Sequence, residues 1–155
     1  MPSVSMHWRG GMLFHSRTPS GHDVFMDSSP EVGGHDMAAR PMEYFTLSVA
    51  GCTGMDVVAI LDKMKLLDKI RCFKLDIDYE REKEHPRVYT WVKLVYTFEV
   101  EKGVLRDKIE RAVRLSQDKY CSVSAMLKKA VKDFNYEIVI EEVPEFEGED
   151  DGGQS

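Results

Sequence analysis

The stretch from Tyr44 to Leu61 carries eighteen residues with one charge, Asp56, and no other segment limits the fold as strongly. Pro41 suits a first helical position, where its missing N–H costs nothing. Lys63, Lys65 and Lys69 then gather where cations favour a helix C-terminus. The spacing predicts one long helix starting at Pro41, and its nearly all-round apolarity predicts a central helix covered on several sides. Gly51 and Gly54 each cost about 1 kcal/mol relative to Ala inside a helix, so another backbone or a substrate is expected to come close there. The longest uncharged run, Tyr44 to Met55, falls short of the roughly 20 residues that span a bilayer, and no membrane association is expected.

The flanking segments read as strands and shorter helices. Val4 to Trp8, Met12 to His15 and His22 to Asp27 are short strands punctuated by Gly10-Gly11 and Thr18-Pro19-Ser20-Gly21, which predicts an N-terminal meander. Residues 28–40 show no period and form a loop long enough to be mobile or functional. Phe73, Leu75, Ile77 and Tyr79 alternate with polar residues, as do Val88 to Val100 at every second position. With the turn at His85-Pro86 between them, they predict a long hairpin. A helical stripe of Leu105, Ile109, Ala112, Val113 and Leu115 ends near Tyr120. Ser122 is the expected cap of a short third helix, and Tyr136 to Ile140 closes with a strand. The order is βββ-α-ββ-α-α-β, an α+β class, in a single domain over 1–142 followed by a disordered acidic tail over 143–155.

Charge narrows the function classes. The chain has 21 Lys and Arg against 27 Asp and Glu, and seven of those acids lie in 141–155. Residues 1–140 therefore hold 20 acids against 21 bases, a net of +1. A neutral body lacks the basic footprint of a nucleic-acid binder. The N-terminus MPSVSMHWRG has neither a basic nor an apolar signal-peptide region, so a cytoplasmic protein is expected. In that compartment its three cysteines would stay reduced unless they act in catalysis or sensing. The histidines at 7, 15, 22, 35 and 85 show no metal-binding spacing, and no phosphate-binding glycine motif is present; neither a metal nor a cofactor is expected.

Chemistry is carried best by two thiols. Cys52 lies mid-helix between Gly51 and Gly54, where it either packs, as buried cysteines commonly do, or is reached past the glycines and reacts. Cys121 sits just before a helix N-terminus, a position that lowers a thiol pKa. Cys72 shares its strand face with Lys74 and Asp76 and reads as a bystander. Asp56, one turn after Cys52 on the same face, would oppose thiolate formation and reads as a hydrogen-bonding structural acid. Glu43 is half a turn out of phase with Cys52 and is placed to hold an arginine.

Gly21 to Asp27, Pro41-Met42-Glu43, Ala50-Gly51-Cys52-Thr53-Gly54-Met55-Asp56-Val57-Val58, Leu115-Ser116 and Lys119-Tyr120-Cys121-Ser122-Val123 together resemble the OsmC/Ohr family, in its YhfA-like branch. The resemblance covers about residues 4–140 in order. It implies an intertwined homodimer with a long buried central helix and cysteine-based reduction of organic hydroperoxides in oxidative-stress defence. Cys52 matches the peroxidatic cysteine and Cys121 the resolving one, and their disulfide is reduced by an external dithiol. The substrate it implies is a small apolar hydroperoxide. In the Ohr branch a carboxylate directly after the proline clamps an arginine onto the reactive sulfur; here Met42 follows Pro41 and Glu43 comes next, leaving Arg9, Arg17 and Arg40 as candidate cations, with Glu43, Asp56 and Arg40 as supporting residues. The rival reading is a dimeric ligand-binding or redox-sensing module with an apolar inter-subunit pocket and no fast turnover.

Overall fold

The computed structural model describes residues 3–104 and 106–144. Leu105, expected in the second helix, and residues 145–155 of the acidic tail lie outside that range. The chain divides into two compact units, one up to Ser48 and one from Val49.

In the first unit, β1 (Met6–Trp8), β2 (Phe14–Arg17) and β3 (Asp23–Met26) form the expected antiparallel meander in the order β1-β2-β3. The loop after β3 is organised rather than irregular. Asp27, 2% exposed, accepts backbone N–H bonds from Ser28, His35 and Met37 at 2.8, 3.2 and 3.0 Å. Those three donors hold its carboxyl below the usual carboxylate range, against the cost of burial. Gly34 packs so tightly beneath this turn that a Cβ would stand 1.9 Å from the Ser28 carbonyl oxygen. An apolar hollow of about 380 Å3, lined by Met6, Met12, Phe14 and Met26, opens in this unit.

Helix α1 (Pro41–Lys63) begins in the first unit, as Pro41 predicts. Glu43 accepts the Arg40 backbone N–H at 2.8 Å, half of a capping box. Within the chain α1 buries one stripe, Val49, Thr53, Val57 and Leu61, while Leu47 is 63% and Met55 76% exposed. By length and composition α1 would also pass as a membrane span, but its buried stripe is seated within the second unit, where Thr53 hydrogen-bonds to Tyr96.

That unit is built on a sheet of order β4-β5-β6, formed by β4 (Ile70–Arg81), β5 (Tyr89–Glu101) and β6 (Asp133–Val143). β4 and β5 are the expected antiparallel hairpin. β5 is the central strand, and Val92, Leu94, Tyr96, Phe98 and Val100 are each 1% exposed or less. Burying each such side chain is worth about 1.5–3 kcal/mol. Of the residues expected on that face, Val88 precedes the strand and is exposed, as is Thr90 at its start. β6 runs parallel to β5 and is longer than expected. A parallel neighbour requires a crossover of a dozen or more residues, supplied by α2 (Arg106–Leu115) and α3 (Ser122–Ala130). Ile109, Ala112 and Val113 bury the α2 stripe.

Candidate active site

The second helical stripe does not run as α-helix to Tyr120. Residues Ser116–Tyr120 form a π-helical turn, closed by the Cys121 N–H donating to the Ser116 carbonyl at 2.8 Å. Such turns recur at functional sites because the extra residue re-aims side chains. Here Ser116 and Gln117, adjacent in sequence, are both buried.

These two side chains meet Thr53 of α1 and Tyr96 of β5. Thr53 Oγ1 lies 2.7 Å from Tyr96 Oη and 2.8 Å from Ser116 Oγ. Ser116 Oγ lies 3.2 Å from Asp56 Oδ2, and Gln117 Nε2 lies 2.6 Å from Tyr96 Oη. Each hydroxyl has one proton, and an ionised carboxylate only accepts. The directions then follow as a chain: Gln117 donates to Tyr96, Tyr96 to Thr53, Thr53 to Ser116 and Ser116 to Asp56. Gln117 Nε2 also reaches Ser124 Oγ at 3.2 Å, and Lys128 Nζ donates to the Gln117 carbonyl at 2.7 Å. Burial pushes the Tyr96 phenol up to about 12, despite its bonds to Thr53 and Gln117, so it stays neutral in this chain.

The chain fixes α1 against the π turn, and each of these elements presents a cysteine. Cys52 adjoins Thr53 and is half-buried; Cys121 ends the π turn and is 2% exposed. Their sulfurs and an Asp56 carboxylate oxygen all lie within 4.8 Å of one another. Both cysteines are free thiols.

Two local expectations are corrected. Cys121, not Ser122, is the N-cap of α3: its Sγ accepts the Ser124 N–H at 3.3 Å, as a cap side chain does for the third helical residue. That position does not lower its pKa. Burial, the largest effect, pushes the thiol above the ordinary range, partly offset by the Ser124 hydroxyl and N–H. The low dielectric around the buried sulfur outweighs the short helix's N-terminal field.

Of the residues singled out in the sequence, Cys52, Asp56 and Cys121 come together. Glu43 and Arg40 have their described contacts in the first unit, Glu43 with the Arg40 backbone and Arg40 with Asp36. Arg9 is 3.1 Å from His15 Nδ1 and Arg17 is 3.5 Å from Asp23 Oδ2. Cys72 is exposed on β4. Thr53, Tyr96, Ser116, Gln117 and Ser124 were not expected to serve the site; a threonine inside an apolar helix and a tyrosine on a buried strand face were the available signals.

Among the described residues no backbone of this chain comes close to Gly51 or Gly54, and the space beside them is open. A Cβ on Gly51 would meet nothing within 4 Å, and one on Gly54 only the tips of Leu75 and Phe73 at 4.0 Å. Both border an open apolar hollow of about 530 Å3 with Met55, Val58, Leu67 and Phe73.

Residues 33–133, which include both α1 and the π turn, match the family model described as OsmC-like protein. The chain belongs to the OsmC-like family. It is 39% identical over 134 residues to protein YhfA of Escherichia coli K12, covering 85% of this chain and 94% of that protein. Among solved structures, this OsmC-like chain is similar to a hypothetical protein of Aquifex aeolicus VF5, with a TM-score of 0.72 and 28% identity, covering 94% of this chain and 98% of that one. It also shares its fold with the organic hydroperoxide resistance protein OhrB of Bacillus subtilis, at a TM-score of 0.57 and 19% identity over 88% of this chain and 97% of that one.

Proposed function

We propose that this OsmC-like protein is a thiol peroxidase that reduces organic hydroperoxides to alcohols. The observation that carries the reading is the approach of Cys52 and Cys121 to within 4.8 Å, with one sulfur half-exposed and the other buried. The half-exposed Cys52 thiolate attacks the terminal peroxide oxygen. The O–O bond breaks, the alkoxide leaves with a proton as the alcohol, and Cys52 becomes a sulfenic acid. Cys121, kept protonated by burial, then condenses with it: an S–S bond forms, the S–O bond breaks, and water leaves. An external dithiol takes the disulfide back to two thiols. The cap bond from the Ser124 N–H and the Thr53 to Ser116 contact hold the two sulfurs in reach of each other.

The apolar hollow beside Gly51 and Gly54 supports a preference for small apolar peroxides. Exposed Leu47, Met55 and Val58 on α1 support a homodimer, in which a second copy covers that helix. A reducing cytoplasmic setting is consistent with the free thiols.

A second reading, a ligand-binding or redox-sensing module without fast turnover, is favoured by the raised thiol of Cys121 and by Asp56 beside both sulfurs. Steady-state turnover separates the two. Peroxidase chemistry requires that Cys52→Ser lose all turnover and that Cys121→Ser be oxidised once, then stall as a sulfenic acid. Turnover surviving in Cys52→Ser overturns it.

A further inference from the structure

The Cys52, Asp56 and Cys121 cluster has the donor set of a metal centre as well as the geometry of a thiol pair. We propose that, with both thiols reduced, these three side chains bind one Zn2+ per chain, leaving a fourth position open to water.

Three protein ligands with an open position are the pattern of zinc sites that keep an exchangeable ligand. Two thiolates and a carboxylate suit a borderline-soft d10 ion. Zn–S bonds of about 2.3 Å and Zn–O bonds of about 2.0–2.2 Å require the donor atoms to stand closer together than the present bound of 4.8 Å, and the three donors already stand within that bound. The surroundings already orient two of the donors. Ser116 donates to the Asp56 carboxylate at 3.2 Å, and the Ser124 N–H donates to the Cys121 sulfur at 3.3 Å. Such partners to the ligands orient them and tune their basicity. Asp56, which repels a thiolate in the empty cluster, becomes an asset once a divalent cation neutralises all three groups.

A bound ion engages the sulfur lone pairs that attack a peroxide, so zinc and peroxide compete for the same thiols. Two thiolates, one hydroperoxide and two protons give the disulfide, the alcohol and water, and the ion is released. That release by peroxide rests on the peroxidase reading, whereas binding needs only reduced thiols.

The test uses the full reduced chain, free of oxygen, titrated with Zn2+ against a chromophoric chelator, and separately with Co2+, whose visible and near-ultraviolet bands report tetrahedral geometry and sulfur ligation. Wild type and Cys72→Ser are expected to bind one equivalent. Cys52→Ser and Cys121→Ser lose high-affinity binding, and Ser116→Ala weakens it by about 10–100-fold. Asp56→Asn, nearly isosteric, weakens it at least as much and changes the Co2+ spectrum. Protein oxidised with a non-peroxide thiol oxidant to the Cys52–Cys121 disulfide binds none. Wild-type binding no tighter than that of Cys52→Ser, or Asp56→Asn indistinguishable from wild type, overturns the proposal. A chain that binds zinc but does not turn over peroxide defeats only the peroxidase reading.

Discussion

Thr53 Oγ1 stands 2.8 Å from Ser116 Oγ, joining the helix that carries Cys52 to the π turn that ends at Cys121. Thr53 also meets the Tyr96 hydroxyl at 2.7 Å, so one buried side chain ties α1, β5 and the π turn together. The helix and the turn that carry the two thiols are thus joined by hydrogen bonds as well as by packing.

Replacing Thr53 with valine keeps the shape and removes the hydroxyl. Tyr96 and Ser116 then lose a partner at sites fully closed to water, at a cost of about 1–3 kcal/mol for each group left unpaired. Urea unfolding of Thr53→Val is expected to show a lower midpoint with an unchanged slope. A midpoint equal to that of wild type would mean that the chain of hydroxyls contributes nothing to holding the unit together.

Cys121 is expected to resist alkylation. Its thiol is buried and pushed above the ordinary thiol range, so its reactive thiolate forms only at higher pH, and the sulfur is shielded from reagent. Iodoacetamide mapping across pH 7–10 is expected to modify Cys72 and Cys52 before Cys121, with the order lost in denaturant. The same shift has a sign for stability. The folded chain keeps this proton while the unfolded chain releases it near the ordinary thiol pKa, so the stability contributed by the neutral thiol declines as pH rises through that value.

The loop around Asp27 has its own pH window. Its carboxylate is depressed by three backbone donors, so the stability it contributes is present above the ordinary carboxylate pKa and is lost as pH falls through the lower folded value. Amide exchange at His35 and Met37 is expected to accelerate in Asp27→Asn at neutral pH, and in wild type only in acid. Unchanged exchange at both amides in the variant would contradict the assignment of Asp27 as the organiser of this loop.

Gly34 tolerates no side chain. With a Cβ 1.9 Å from the Ser28 carbonyl oxygen, Gly34→Ala forces backbone to move, and a lower melting temperature of the first unit with wild-type strand pairing elsewhere is expected. An unaltered melt would contradict this packing.

Where apolar period and turn chemistry decide the structure, the sequence was readable: the start of α1 at Pro41, the β4-β5 hairpin and the N-terminal meander all stand where alternation and proline place them. The apolar length of α1 was legible but its exposure was not, because composition records hydrophobicity and not whether the same chain covers it. The π turn left no period of its own, since Ser116 and Gln117 are polar residues buried by hydrogen bonding. The Cys121 thiol was misjudged because helix position is visible in a sequence and depth of burial is not. The pairing of Cys52 with Cys121 came from family resemblance; their proximity emerged only when α1 met the π turn.

The central claim is that Cys52 and Cys121 act as one redox unit. Reduced protein treated with one equivalent of an organic hydroperoxide, quenched over time and mapped by peptide mass spectrometry, tests it most directly. The account predicts rapid appearance of a Cys52–Cys121 disulfide, with Cys72 unmodified and slower formation with hydrogen peroxide. Both thiols remaining reduced over many minutes, or oxidation starting at Cys72, would contradict it.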